Sequence, residues 1–358
     1  MMHLARIKGE NFRLFEKLDF NPHPRVTFIT GENAAGKTSL LESIYCLGRA
    51  KSFRGNGPAE LAGAQGRHWQ VMAKLQKPDE PSTTVRVAWN PEGTAVRFGE
   101  NTKPTSAELV SQLPTQIIEP AMHRLLQDGP SYRRSFLDWG VFHVEQQFFP
   151  IWRRHQRALK QRNKALRLKS SPKEILIWDE ELAASAELLQ QYRAEHLVAL
   201  RPILAEMVTK LFNTEDWSIE LQPGWSADTP YLEGLRKNLE RDRKMGMTVE
   251  GAHRAELKLR LNSHQVKNRI SRGQQKLLIS ALILAQSELM YRHTGRSPIL
   301  LVDDFSAELA TEFQRALAGL FAQHTGQLFI TAFERVPAFD LLPDSSMFHV
   351  EHGRIREC

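Results

Sequence analysis

The chain has 358 residues, with 48 Lys and Arg against 41 Asp and Glu, a formal net charge of +7 and 41% hydrophobic residues. That length exceeds what one core usually holds and calls for two domains, and the ordinary apolar content excludes a disordered chain. The apolar runs, such as Leu277–Ala285 and Ile299–Val302, fall far short of the roughly 20 residues of a membrane-spanning helix. The basic balance favours an anionic partner, nucleic acid ahead of a membrane surface. Two cysteines, Cys46 and Cys358, imply neither a disulfide framework nor zinc ligation and fit a reducing cytosol. The N-terminal stretch MMHLARIKGENF lacks the apolar segment of a secretory signal. The expectation is a soluble, cytoplasmic protein with no membrane role.

Residues 3–21 read as one or two strands turning at Asn11, with Arg13 beside the turn as a surface cation or a phosphate contact. Val26–Thr30 is a short β-rich run. Gly31-Glu32-Asn33-Ala34-Ala35-Gly36-Lys37-Thr38 then fits the phosphate-binding pattern G-x-x-x-x-G-K-S/T, and Ser39 leads into Leu40, Leu41, Ile44 and Leu47 at helical spacing. The residue types suit the chemistry. Gly31 and Gly36 let the backbone bend so that its N–H groups face phosphate oxygens. The helix start adds the positive end of its dipole. Lys37 would bridge the β- and γ-phosphates and the Thr38 hydroxyl would hold Mg²⁺.

Residues 49–104 alternate like an antiparallel β meander, with runs at Trp69–Leu75, Thr83–Trp89 and Ala95–Phe98 separated by turns. Lys51-Ser52-Phe53-Arg54 opens this region as a solvated loop or as a DNA or nucleotide contact. Gln116–Glu119 is a strand stopped by Pro120, and a helical region begins at Tyr132. From Trp152 to Lys169 there are cations but no Asp or Glu. Trp152, Leu159 and Leu166 lie seven apart and predict a thin apolar seam on a projecting helix. Arg153, Arg157, Lys160, Arg162 and Lys164, with Arg54 upstream, are the candidate DNA contacts, since phosphate affinity grows with each neutralised charge. A solvated face explains such a run equally well.

Ser170-Ser171-Pro172 ends that helix. Trp178–Phe212 is helical again, with Pro202 predicted to kink or break it; the two helices make an antiparallel hairpin. Residues 213–252 are mixed, with a strand at Trp217–Leu221 and a charged helix at Tyr231–Lys244. His253–Leu261 is read as the return to the first domain. Ser271-Arg272-Gly273-Gln274 opens a helix rich in Leu and Ile from Leu277 to Leu289, with Ser271 as its N-cap. Ile299–Val302 reads as a strand buried on both faces. It ends in Asp303-Asp304, where open α/β sheets bind ligands. Thr311–Gln323 and Gln327–Thr331 complete a βαβ unit.

A phosphate loop and a carboxylate-ended strand describe a Mg-nucleotide site, with Asp303 on the metal and Asp304 orienting the attacking water. Ser271, Gly273 and Gln274, about 30 residues before that strand, resemble the signature of ABC-type ATPases rather than a kinase feature. The combination of Gly31–Leu41 with Glu42, Lys51–Arg54, Gly129–Trp139, Ala158–Asn163, Gly251–Arg254, Ser271–Lys276, Asp303–Leu309 and Phe348–Gly353 resembles the bacterial RecF family of recombination and repair proteins over nearly the full length. The resemblance implies an α/β fold: an ABC/Rad50-like ATPase head with an antiparallel β meander and an inserted α-helical arm. The expected division is head 1–122, arm 123–250 and head 251–358. It implies ATP and Mg²⁺ as cofactors and an ATP-dependent homodimer in which Ser271–Gln274 of each chain closes on the other's loop. Gly31 to Ser39 would bind nucleotide, Thr38 and Asp303 the metal, and Lys37, Asp303 and Asp304 would carry slow hydrolysis. It further implies binding to DNA at gaps and single-strand/duplex junctions, with RecR and RecO, to load RecA.

The chain departs from the family pattern at Ala252, Ala255 and Ala310, where Pro, Asp and Asp are usual; the last removes a cross-dimer contact. Phe329–Glu334 contains no histidine, so a transporter-type γ-phosphate histidine is absent. The rival readings are an ABC transporter subunit, a stand-alone NTPase or kinase without a DNA role, and an SMC head fragment. The basic helices weigh against the first, and the lack of a long heptad arm against the last.

Overall fold

The computed structural model describes all residues except Gln65, Asp79, Ala227, Ser263, Asn268 and Arg269. Contacts divide the chain into two units, Met1–Met122 with Arg272–Cys358, and His123–Ser271. In the first unit β1 (His3–Phe12) and β2 (Phe15–Phe20) form a hairpin, and β3 (Val26–Thr30) leads into α1 (Lys37–Arg49). The meander follows as β4 (Trp69–Gln76), β5 (Thr83–Asn90) and β6 (Gly93–Phe98). Then come α2 (Ser106–Gln112), capped by Thr105 and Glu108, and β7 (Thr115–Ile118).

The second unit begins with α3 (Arg124–Gln127), α4 (Pro130–Val144) and α5 (Phe148–Arg167). A short α6 (Pro172–Leu176) precedes the long α7 (Asp179–Phe212). β8 (Trp217–Gln222), α8 (Tyr231–Lys237), α9 (Leu239–Met245), β9 (Glu256–Leu261) and β10 (His264–Gln265) complete it. The chain then returns to the first unit through α10 (Arg272–Thr294), β11 (Ile299–Val302), α11 (Thr311–Gln323), β12 (Leu328–Thr331), β13 (Ser345–Glu351) and β14 (Arg354–Glu357).

Two sheets build the first unit. One is antiparallel, β2-β1-β4-β5-β6; the other runs β14-β13-β3-β12-β11-β7 and is parallel from β13 to β7. The central strands β3, β12, β11 and β7 are buried throughout, as continuous apolar runs covered on both faces require. Leu40, Leu41, Ile44 and Leu47 of α1 join the core with Val71, Val85 and Val87 of the meander. The parallel strands all point their C-terminal ends the same way. That edge carries Gly31 after β3, Asp303 after β11 and Thr331 at the end of β12.

Three expectations are corrected. Pro202 does not break α7, which runs through it as one helix. The carbonyl that loses its donor belongs to Val198, an exposed residue, so water can satisfy it. Residues 251–271 pack with the second unit, not the first, because β9 pairs along its length with β8. The apolar face of α5 is wider than the expected seam: Leu166 is buried, and Trp152 and Leu159 pack partly buried against the core of the unit. Phe148, Ile151, His155, Ala158, Arg162 and Leu166 are the buried residues, at the spacing of an ordinary α-helical face.

Candidate nucleotide site

The phosphate loop is held open by its own backbone. Gly31 has φ +149° and Gly36 φ +119°, and a Cβ at Gly31 would sit 2.3 Å from the Val350 carbonyl oxygen. Only glycine fits there. The backbone N–H groups of Gly36, Lys37, Thr38 and Ser39 donate to no acceptor among the described residues, although Lys37 and Ser39 are buried. A row of unmet donors at a helix start is an anion cradle. The Lys37 Nζ folds back onto the carbonyls of Gly31 at 2.7 Å and Glu32 at 2.8 Å. Burial lowers its pKa, and Asp304 and Asp303 oppose that fall. The loop opens on a cavity of about 930 Å³ whose walls include Asn33, Lys37, Thr38, Ser39, Arg54 and Asp304. The donor set and the space fit a nucleoside triphosphate.

Asp303 lies beneath this loop, 4% exposed. Its Oδ2 accepts from Thr38 Oγ1 at 3.0 Å and its Oδ1 from Thr331 Oγ1 at 2.8 Å. Burial raises its pKa, the two hydroxyl donors pull it back, and Asp304 raises it further. An extra positive charge at Thr38 would relieve that burial, so Thr38 and Asp303 fit a divalent cation. Asp304 adopts φ +50°, a left-handed conformation that strains a residue with a Cβ by about 1 kcal/mol or more. Two contacts hold it: its N–H donates to Thr331 Oγ1 at 2.9 Å, and its carbonyl accepts from Lys276 Nζ at 2.5 Å. Thr331 carries no motif that would have marked it; only the parallel register of β11 and β12 brings it to the carboxylates.

Lys276, in the first turns of α10, is a second such residue. Its Nζ also donates to the carbonyls of Phe305 and Ala307, each at 3.0 Å. Three ammonium hydrogens thus meet three carbonyls of the loop that carries Asp304. Burial pushes its pKa down to about 8, against the pull of Asp304 and Glu308. Gly273, in the first turn of α10, abuts the same loop; a Cβ there would lie 2.9 Å from the Glu308 carbonyl oxygen. Arg272 pairs with Glu308 at 3.2 Å. The helix that begins at Arg272 is therefore pinned to the loop of Asp304 in its own chain. Neither Gly273 nor Gln274 is among the described residues lining the nucleotide cavity. Ser271 ends the other unit. Ala310 stands at the N-cap of α11 without a side chain to cap it.

Arg13 is not free to meet a phosphate. Its Nε donates to the buried Glu42 at 2.8 Å and its Nη1 to the Glu60 carbonyl at 2.8 Å. Ser52 Oγ donates to the same Glu42, so one buried carboxylate organises the loop that presents Arg54. Arg54 lines the same cavity as Lys37 and Thr38 and lowers the Asp303 pKa. On α5, Arg153, Arg157, Lys160 and Lys164 are exposed. Arg162 is the exception, and its assignment as a DNA contact is overturned. It is 0% exposed and bonded to Asp179 at 2.7 Å and Asp242 at 2.6 Å. It falls on the buried face, four residues after Ala158 and four before Leu166.

The parallel sheet, the anion cradle and the carboxylate-ended strand define an ATPase head of the ABC/SMC type. The family model described as RecF/RecN/SMC N terminal domain matches residues 3–352. The DNA replication and repair protein RecF of Vibrio atlanticus (strain LGP32) is 36% identical, across 99% of this chain and 100% of that protein. The chain belongs to the RecF family. Among solved structures, the recombination mediator protein RecF-ATP of the RecFOR pathway has the same fold, with a TM-score of 0.86 and 23% identity, covering 100% of this chain and 98% of that one. A Smc head domain from Pyrococcus furiosus matches at TM-score 0.60 and 14% identity, covering 100% of this chain and 96% of that one. Among the described residues no helix is long and apolar enough to cross a membrane.

Proposed function

We propose that this chain is an ATP-gated DNA-binding protein of replication and recombinational repair. It dimerises on Mg-ATP, holds gapped DNA or single-strand/duplex junctions, and with RecR and RecO helps load RecA. The observation that carries the reading is the unmet row of N–H donors from Gly36 to Ser39 above Asp303, in a cavity that Gly273 and Gln274 do not line. Such a site is half of one, and a second copy's Ser271, Gly273 and Gln274 complete it. The names of the relatives support the DNA role. Gly31 to Ser39 hold the phosphates, Lys37 neutralises their charge, and Thr38 and Asp303 would hold Mg²⁺. The ion, when bound, supplies further charge neutralisation. Asp304, fixed by Thr331 and Lys276, orients water for a slow hydrolysis that serves as a switch.

Sedimentation together with binding to gapped duplex, with and without Mg-ATP, tests the reading. ATP should produce dimers that retain the DNA. An ATP-bound monomer without DNA affinity at low salt would leave the stand-alone NTPase instead. Replacing Arg157, Lys160 and Lys164 together by Gln should reduce the salt slope of DNA binding by about 2–3. An unchanged slope would make α5 a solvated face.

A second expectation comes from Lys276. Below pH of about 8 its ammonium has a donor for each of three carbonyls; above, the neutral amine has only two. ATP turnover should therefore fall as pH rises through that value. Lys276→Arg, which stays charged, should remove the alkaline fall even at reduced overall rate. An identical pH profile for the two proteins would show that Lys276 does not position the loop.

A further inference from the structure

Arg162, excluded as a DNA contact, organises one end of the helical unit. Its guanidinium ties the C-terminal part of α5 to Asp179 at the start of α7 and to Asp242 in α9. It also donates to Thr248 Oγ1 at 2.8 Å, and Asn163 Oδ1 accepts from the Thr248 N–H at 2.7 Å. A buried ion network of this kind adds little net stability and instead fixes one arrangement of the segments it joins.

Those segments carry exposed apolar side chains. Leu168 follows α5 and is 68% exposed; Ile177, also 68% exposed, and Leu176 precede α7; Met245 ends α9 and Met247 lies just beyond it, and they are 61% and 39% exposed. Each lies within a few residues of Arg162, Asp179 or Asp242. A Cβ at Gly246 would lie 3.6 Å from Arg167 Cγ, which places the two methionines beside the end of α5. Single exposed apolar residues are ordinary, but several held at one end of a unit mark an interaction surface.

Charge selects the partner. Arg167, Lys169, Lys173 and Lys244 are exposed around this end, and none forms an ion pair among the described residues. The local acids are fewer: Glu174 is held by Ser171, Glu240 faces Arg243 at 4.0 Å, and Glu180 is exposed. Nucleic acid would use the cations and leave Leu168, Ile177 and Met245 in water. We infer that the end of the helical unit formed by residues 167–177 and 244–247 is a docking surface for an acidic protein segment bearing apolar side chains. The apolar residues form its centre and the cations its rim, the usual anatomy of a protein interface. Methionine supplies the adaptable contact.

Anisotropy with the full chain tests this with three labelled probes: a short peptide alternating Asp with Phe, the same peptide with Ser for Phe, and oligo-dT. The Asp-Phe peptide should bind, and more weakly as salt rises. Leu168→Ser with Ile177→Ser and Met245→Ser should weaken it about tenfold or more. Lys169→Glu with Lys173→Glu, which leaves the apolar centre intact, should also weaken it. ATP binding and the thermal midpoint should not change in either variant. Equal peptide affinity in the apolar variant, or equal binding of the Ser peptide, overturns the proposal. So does an equal loss of oligo-dT binding, which assigns the surface to nucleic acid, or a loss of self-association, which assigns it to a second copy.

Discussion

Arg162→Ala is expected to destabilise the helical unit by about 3–5 kcal/mol, measured by urea denaturation followed by tryptophan fluorescence. The variant leaves Asp179 and Asp242, each 1% exposed, without their shared cation. Burial already raises the Asp179 pKa with Arg162 present; without it the ionised form is penalised further. The sign of the pH dependence follows. A carboxyl raised in the folded state favours the fold below its unfolded pKa and loses that contribution as pH rises through the folded value. The deficit of Arg162→Ala should therefore shrink as pH falls toward about 4. Arg162→Met with Asp179→Leu and Asp242→Leu should recover most of the loss, since apolar replacement of a buried ion network is often neutral or better. A deficit below about 1 kcal/mol would show that the carboxylates are not truly desolvated.

Lys37→Met should abolish nucleotide-dependent behaviour while leaving the fold intact. Methionine fills nearly the same volume; the two hydrogen bonds lost are those to the Gly31 and Glu32 carbonyls. The missing charge is the one that phosphate needs. Wild-type protein with ATP at 100 times its Kd should gain about 2.7 kcal/mol of stability; Lys37→Met should show no ligand-induced shift in Tm, and turnover lower by on the order of 100-fold or more. A variant that still forms ATP-dependent dimers would mean that the backbone cradle alone senses the nucleotide.

The chemistry-bearing segments were legible because each obeys a local rule. Gly31 and Gly36 mark positive φ, and the Lys37-Thr38 pair needs only the helix that follows it. Asp303-Asp304 ends a run too apolar to be anything but a buried strand. Thr331 and Lys276 were not legible as site residues, because their partners are backbone and side-chain atoms about 30 positions away and no spacing rule connects them. Arg162 was misread for a related reason. In a stretch, Trp152–Lys169, with eight cations and no acid, charge does not say which cation faces inward. The spacing of Ile151, His155, Ala158 and Leu166 does.

The sequence by itself determined the phosphate loop, its flanking strand and helix, the carboxylate strand and the membership of a DNA-repair ATPase family, because all of these rest on short-range backbone geometry and residue type. Tertiary structure decided which cation becomes a buried hub, that β9 pairs with β8, that α7 absorbs Pro202, and that the signature helix grips the loop of Asp304 in its own chain. Those outcomes depend on which groups lose water together, and desolvation is a property of packed neighbours that no stretch of sequence carries alone.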